Sequence, residues 1–412
     1  MRELRVRLRF APDDVRDVGT LAQDGRRVWF EYDAADGLPI APLGLPRGQG
    51  LIEHTPKGGV PIPGAFSDAR PDGWGLKLLH RAFQGAGRPP SSVSALDELA
   101  WLGHRTMGAL VFEPPTGPPG ELADAIELGA LAAHARQVYD DDVSDVLPDL
   151  VRAGASSGGA RPKALIGLRS DGGPGVVFGE GDLPSGWDAW LVKFPTSNDD
   201  EDVARRELVW MELAAACGLD TPEARVLSLG EHGEAFAVRR FDRPGDNRRL
   251  HMLSAAGALD VDFRTAVADY EDLLRLAGFM TQGDQAQVQA LFRLAAFNVL
   301  ARNQDDHLKN LGFLMDSDGR WRLSPAYDLT YAPSPSGERA TLVSGRGAGI
   351  GRPDLQALGR ATGLRPRDID SILGEVVDGL GGVAERLGER GCTGPVSRAA
   401  RQAVEEALEG FR

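Results

Sequence analysis

Asn303-Gln304-Asp305-Asp306-His307-Leu308-Lys309-Asn310 follows directly on a nearly all-apolar run, Leu291 to Ala301 (LFRLAAFNVLA). A run apolar on almost every face reads as a buried helix. The polar cluster at its end is then a loop fixed on a rigid element, where active sites are usually placed. Downstream, Leu311 to Met315, a turn at Asp316-Ser317-Asp318-Gly319 and Trp321 to Leu323 predict a short hairpin, after which comes Pro325-Ala326-Tyr327-Asp328-Leu329-Thr330.

Asp305, Asp306 and Asn310 alone would pass as turn formers. With Asp328 behind the hairpin they fall in an order that protein kinases show, in which the first Asp faces the acceptor hydroxyl and the Asn and second Asp hold magnesium on the phosphates. Working outward, Gly154-Ala-Ser156-Ser157-Gly158-Gly159-Ala-Arg-Pro-Lys163 is rich in glycines, which let backbone N–H groups approach an anion closely. It lacks Walker A spacing, which excludes a P-loop NTPase. By glycine content alone it is a mobile surface loop. Its place before two predicted strands, Lys163 to Leu168 and Val176 to Phe178, is that of a kinase lid.

Trp187 to Pro195 ends an apolar strand on Lys193, a residue that either snorkels to water or meets an anion. Asp202 to Leu219 has a helical pattern, with Glu207 in its first turns as the partner expected for Lys193 and Glu212 as a weaker one. Two more strands lead to Arg239-Arg240-Phe241, the position of a kinase hinge, where main-chain groups from Arg239 to Phe241 would hold adenine. Upstream, Leu4-Val6-Leu8-Phe10 and Arg27 to Tyr32 alternate as strands do. Met107 to Glu113 reads as a closing strand, Pro114 to Gly120 as a linker, and Leu122 to Val138 as a helix. Arg339 to Gly351 carries several glycines and reads as a mobile segment beyond Asp328.

A chain of 412 residues suits two or three domains, and its 42% hydrophobic and 26% charged residues are those of an ordinary globular protein. The net charge of −14, 46 basic against 60 acidic residues, opposes DNA or anionic-membrane binding by the chain alone. Cys217 and Cys392 form no metal or redox spacing, and so few thiols fit the cytoplasm. No signal peptide opens the chain and no run approaches membrane-spanning length.

Gly-Gly-Ala-Arg-Pro-Lys163, Trp-Leu-Val-Lys193, Val-Arg-Arg-Phe-Asp-Arg243, Arg249-Leu-His251, Tyr270-Glu-Asp-Leu273, the loop ending at Asn310 and Pro-Ala-Tyr-Asp328-Leu together resemble the HipA family of serine/threonine kinase toxins. Pro42 to Pro46, Phe66 to Gly75 and Gly108-Ala-Leu extend the resemblance over nearly the whole chain. It implies an α+β, protein-kinase-like, two-lobed fold: a β-rich N-terminal subdomain over 1–115, a kinase N-lobe over 120–243 and a helical C-lobe over 244–412. It implies ATP and Mg²⁺ as cofactors, Asp305 as catalytic aspartate with His307 and Lys309 beside it, and Asn310 and Asp328 as metal ligands. Ser156, Ser157, Gly158, Lys163, Lys193, Glu207, Arg239 and Phe241 would bind the nucleotide, and Ser156 would be the site of self-phosphorylation. The expected partners are a small DNA-binding antitoxin, HipB-like, and a protein substrate, an aminoacyl-tRNA synthetase being the family expectation. A small-molecule kinase using the same site is the alternative. Met252-Leu-Ser-Ala-Ala departs from the family's more polar stretch.

Overall fold

The computed structural model describes residues 2–411 apart from 35–36, 49, 57–58, 119–122, 125–126, 143–147, 157, 174 and 180. The chain divides into two compact units. One comprises residues 1–199, 227–262 and 314–320, the other 200–226, 263–313 and 321–412.

The first unit holds two sheets. Arg2–Ala11, Asp14–Asp24 and Arg27–Tyr32 form an antiparallel meander, extended on one side by Ile52–His54 and on the other by Leu110–Glu113 against the first strand. The alternation seen in sequence is physical: Leu4, Val6, Leu8 and Phe10 are buried while the arginines between them lie nearer solvent. The closing strand begins at Leu110, three residues later than Met107. The second sheet is built around Lys163–Arg169, which pairs antiparallel with Val176–Phe178 on one side and Trp187–Lys193 on the other. Glu234–Arg239 continues it beyond Trp187–Lys193. Its core side carries Ile166, Phe178, Trp190 and Val192, packed with Trp74, Leu78 and Leu150.

The helix read from Leu122 starts instead at Leu128 and runs to Tyr139. Ala123–Asp124 is an edge strand on Val177 and Phe178. Unpaired strand edges have strong hydrogen-bonding capacity, and here pairing overrides local helical preference.

The second unit is mainly helical. Its centre is Gln285–Leu300, N-capped by Asp284, whose carboxylate accepts from Ala286 N at 2.9 Å. From Leu291 to Leu300 every residue but Arg293 is buried, as an all-apolar run requires. The helix ends at Ala301, whose carbonyl accepts from Trp210 Nε1 at 3.1 Å. Arg302 then turns the chain with φ 56° into the polar loop. Val203–Ala216, Tyr270–Met280 and Pro366–Leu380 are further helices of this unit. Among the described residues, no helix is long and apolar enough to cross a membrane.

In the first unit His251 is fully buried, with Nε2 donating to Ile40 O at 2.8 Å. Burial pushes its imidazole down to about 4, below the ordinary value of 6.5. Between those values an unfolded chain takes up a proton that the folded chain refuses. Stability present above pH 6.5 is therefore lost as pH falls towards 4, by about 3 kcal/mol for this group. Melting temperatures of the wild type and His251→Gln, measured from pH 7 to 4.5, should converge as pH falls. Parallel curves would show that His251 is not the source.

Candidate active site

The site residues divide between the two units. In the second, Asp305 is exposed at the end of the buried helix. The loop's shape is set from within: Asn310 Nδ2 donates to the Asp305 carbonyl at 2.9 Å, closing the five-residue interval that the sequence suggested. The Asn310 amide oxygen, which only accepts, takes no part in that bond. Tyr327 Oη donates to Lys309 O at 2.6 Å, tying the residue before Asp328 to the same loop. Asp328 is exposed and has φ 56°, a left-handed conformation that non-glycine residues adopt sparingly and that collects at functional sites. Asp305, Asn310 and Asp328 are thus fixed on one assembly.

The other two loop candidates are held by one aromatic ring. His307 packs its imidazole on Phe263 with centroids 4.8 Å apart, and Lys309 Nζ lies 5.2 Å from the same centroid. His307 Nε2 is 4.0 Å from Asp305 Oδ1. Glu207 is buried in Val203–Ala216, in the second unit, whereas Lys193 belongs to the first. Glu212, the weaker choice, is engaged by Arg390 Nε at 3.4 Å.

In the first unit, Lys163 and Lys193 stand directly opposite each other on antiparallel strands. Directly opposed side chains share a face with Cβ atoms about 5 Å apart, and like charges there repel. Lys163 is buried and donates to the Gly158 carbonyl, while Lys193 Nζ lies 5.5 Å from the Phe236 centroid. Lys163 thus ties its strand to the glycine loop, with Lys193 on the neighbouring strand.

The loop has supports that sequence reading missed. Asp72 accepts from Gly159 N, Gly159 O accepts from Trp74 N at 2.8 Å, and Trp74 Nε1 donates to Lys163 O at 2.9 Å. Gly159 has φ 82°, a left-handed conformation that residues with a side chain rarely adopt and that glycine takes without strain. Asp72 and Trp74 lie in the Phe66 to Gly75 stretch that carried the family resemblance, without any local sign of this role. Ser156 is buried, and its hydroxyl has no hydrogen-bond partner among the described residues. Ser157 lies outside the described residues.

At the hinge position, Arg240 N donates to Ala189 O at 2.8 Å, so Arg240 is not a main-chain donor for a base. Arg239 turns its guanidinium to Asp188 at 2.5 Å. The Phe241 position is followed by buried Asp242, which accepts from Arg240 Nη2 and Arg243 Nη1 at 2.7 Å each and from Gly108 N at 2.8 Å. Burial works against its charge, but the two guanidinium groups hold its carboxyl well below the usual range.

A buried helix feeding an Asp-to-Asn loop, a hairpin and a second Asp, with a glycine loop and strand lysines in the other unit, define a kinase-type phosphotransferase fold. Comparison with known proteins gives the family: residues 155–382, more than half of the chain, match the HipA-like C-terminal domain, and residues 13–113 match the HipA N-terminal domain. The chain belongs to the HipA family of kinases. It is 28% identical over 329 residues to a Sinorhizobium fredii protein bearing the kinase designation Y4dM, covering 75% of this chain and 73% of that one. It is 28% identical over 257 residues to the serine/threonine-protein kinase toxin HipA of Shewanella oneidensis, covering 55% and 54% respectively. A chain of the solved Shewanella oneidensis MR-1 toxin–antitoxin complex of HipA, HipB and operator DNA superposes with a TM-score of 0.69 at 19% identity, over 99% of this chain and 97% of that one. The α+β, protein-kinase-like fold expected from sequence is the fold found.

Proposed function

We propose that this chain is an ATP- and Mg²⁺-dependent serine/threonine protein kinase. The observation that carries the reading is the loop from Asp305 to Asn310, anchored on a buried helix with the Asp305 carboxylate exposed and the Asn310 amide nitrogen held by a hydrogen bond to the Asp305 carbonyl. Asp305 orients the acceptor hydroxyl and takes its proton as the phosphoryl group departs from ATP. Asn310 and Asp328 supply oxygen donors, the chemistry Mg²⁺ selects when phosphates complete its shell. When bound, Mg²⁺ neutralises the phosphate charge and aligns the transferred group.

Lys193, assisted by Lys163, Gly158 and the backbone of the glycine loop, holds the phosphates. Arg239 and Phe241 offer main chain to the base, while His307 and Lys309 shape the acceptor side. Ser156 is the self-phosphorylation site, its place buried until the loop leaves Asp72 and Trp74.

Serine/threonine specificity and the toxin role are supported by the Shewanella relative's name, and a HipB-like antitoxin by the composition of the solved complex. With a net charge of −14, contact with an operator would come through that partner. The acceptor is a protein, an aminoacyl-tRNA synthetase being the class to try first.

The test is intact-mass and peptide mass spectrometry after incubation with Mg²⁺ and ATP. A metal-dependent phosphate on Ser156 is the expected result. Phosphate appearing only on an added metabolite would overturn the protein-kinase reading.

A further inference from the structure

Asp306, the neighbour of Asp305, points the other way. It is 5% exposed. Its Oδ2 accepts from Arg339 Nη2 at 2.6 Å, from Arg339 Nε at 3.1 Å and from Tyr270 Oη at 2.8 Å, and its Oδ1 accepts from Thr341 N at 3.2 Å. The Asp306 carbonyl accepts from Thr341 Oγ1, and Arg339 Nη2 also reaches Asn303 O at 3.3 Å. Ala340 N donates to Gln304 O at 2.9 Å. Arg339 is itself buried, so the segment that sequence read as mobile is instead stitched to the catalytic loop.

The far end of that segment is held as well. Thr341 and Leu342 pair in parallel with Ala268 and Asp269, and the Asp269 carboxylate, N-cap of Tyr270–Met280, accepts from Gly345 N at 2.6 Å and Ser344 N at 3.3 Å. Behind Asp306, Tyr270 Oη accepts from Asn298 Nδ2 at 2.9 Å, and Asn298 Oδ1 accepts from Asn303 Nδ2 at 3.0 Å. The chain of bonds therefore runs from the buried helix through Tyr270 to Asp306. Burial and the nearby Asp306 push the Tyr270 phenol well above its ordinary value, so it stays a donor.

A desolvated carboxylate–guanidinium pair is a poor way to gain stability, since well-packed apolar residues of similar volume often do as well or better. What such a pair provides is one defined geometry. In regulated protein kinases, a segment beyond the second Asp is ordered only once phosphorylated, through new arginine–phosphate pairs. Here the anion is a carboxylate within the catalytic loop and the cation lies in the segment, so the same closure is present without modification.

Resting on the kinase reading above, we propose that Asp306 and Arg339 are positioning residues: their buried pair clamps the segment 339–345 onto the catalytic loop, fixes the direction of Asp305, and renders the enzyme competent without phosphorylation of that segment. Removing one partner leaves a buried unpaired charge and risks unfolding. The informative variant is therefore the double substitution Asp306→Leu with Arg339→Met, made in the full chain and compared with Arg339→Lys.

The expected result is a double variant that still folds, with a melting temperature lowered because Tyr270 Oη and Thr341 N lose their acceptor, an ATP KM within about threefold, and a kcat lower by about 10–100-fold. Arg339→Lys, which keeps the charge but loses the forked geometry, should recover part of the rate. Phosphatase treatment of the wild type should not lower its initial rate. A folded double variant with wild-type kcat would overturn the clamp alone, and a rate that phosphatase treatment lowers would overturn its independence of phosphorylation. A wild-type chain that transfers no phosphate to itself or to a general protein acceptor would overturn the kinase reading, and this proposal with it.

Discussion

Asp305→Asn is expected to lower phosphoryl transfer by about 10²–10⁴-fold, the range for loss of a positioned base, with ATP affinity changed by less than about threefold. The side chain is exposed and the substitution isosteric, so folding has little reason to respond. The hydrogen bond that shapes the loop, Asn310 Nδ2 to Asp305 O, uses the main chain and survives the change. On the proposed mechanism, only proton acceptance and the hold on the acceptor hydroxyl are removed. Initial rates from labelled ATP, beside nucleotide binding by calorimetry, separate the two. Wild-type transfer in the variant would remove Asp305 from the mechanism, and lost binding would make it a nucleotide residue.

That residue was legible in sequence because its chemistry is concentrated in eight consecutive positions at the end of an unmistakably buried run. The strands Lys163–Arg169, Val176–Phe178 and Trp187–Lys193 were legible for a similar reason, each being apolar between turn signals. What sequence did not disclose lies in pairings across long intervals. Asp306 and Arg339 are 33 positions apart, and Arg339 opens a glycine-rich stretch that locally resembles a mobile loop. Asp72 and Gly159 are separated by 87 positions, and no periodicity links an aspartate to a backbone amide that far away. The two-residue strand Ala123–Asp124 is too short for any pattern, so its stretch read as helix. Local physics thus reached the candidate groups, while the side chains that hold their loops in place still required the fold.

The opposed lysines give the second large effect, and its sign for stability runs opposite to that for function. Lys193→Met is expected to lower transfer by about 10²–10³-fold, as loss of a preorganised charge on a transferring phosphoryl group does. In the nucleotide-free protein the same change relieves repulsion across the Lys163–Lys193 pair, worth about 0.2–1 kcal/mol. It also removes the contact of the ammonium with the Phe236 ring, but a thioether packs on an aromatic edge with comparable energy. The melting temperature without nucleotide should therefore stay within about 2 °C of the wild type or rise above it. Added Mg²⁺ and ATP should stabilise the variant less than the wild type, because ligand stabilisation follows affinity. Thermal shifts with and without nucleotide, read beside initial rates, decide the matter. A variant that melts several degrees lower without nucleotide would make Lys193 a structural residue of its strand. Unchanged stability with lost transfer is what a lysine kept for the phosphates requires.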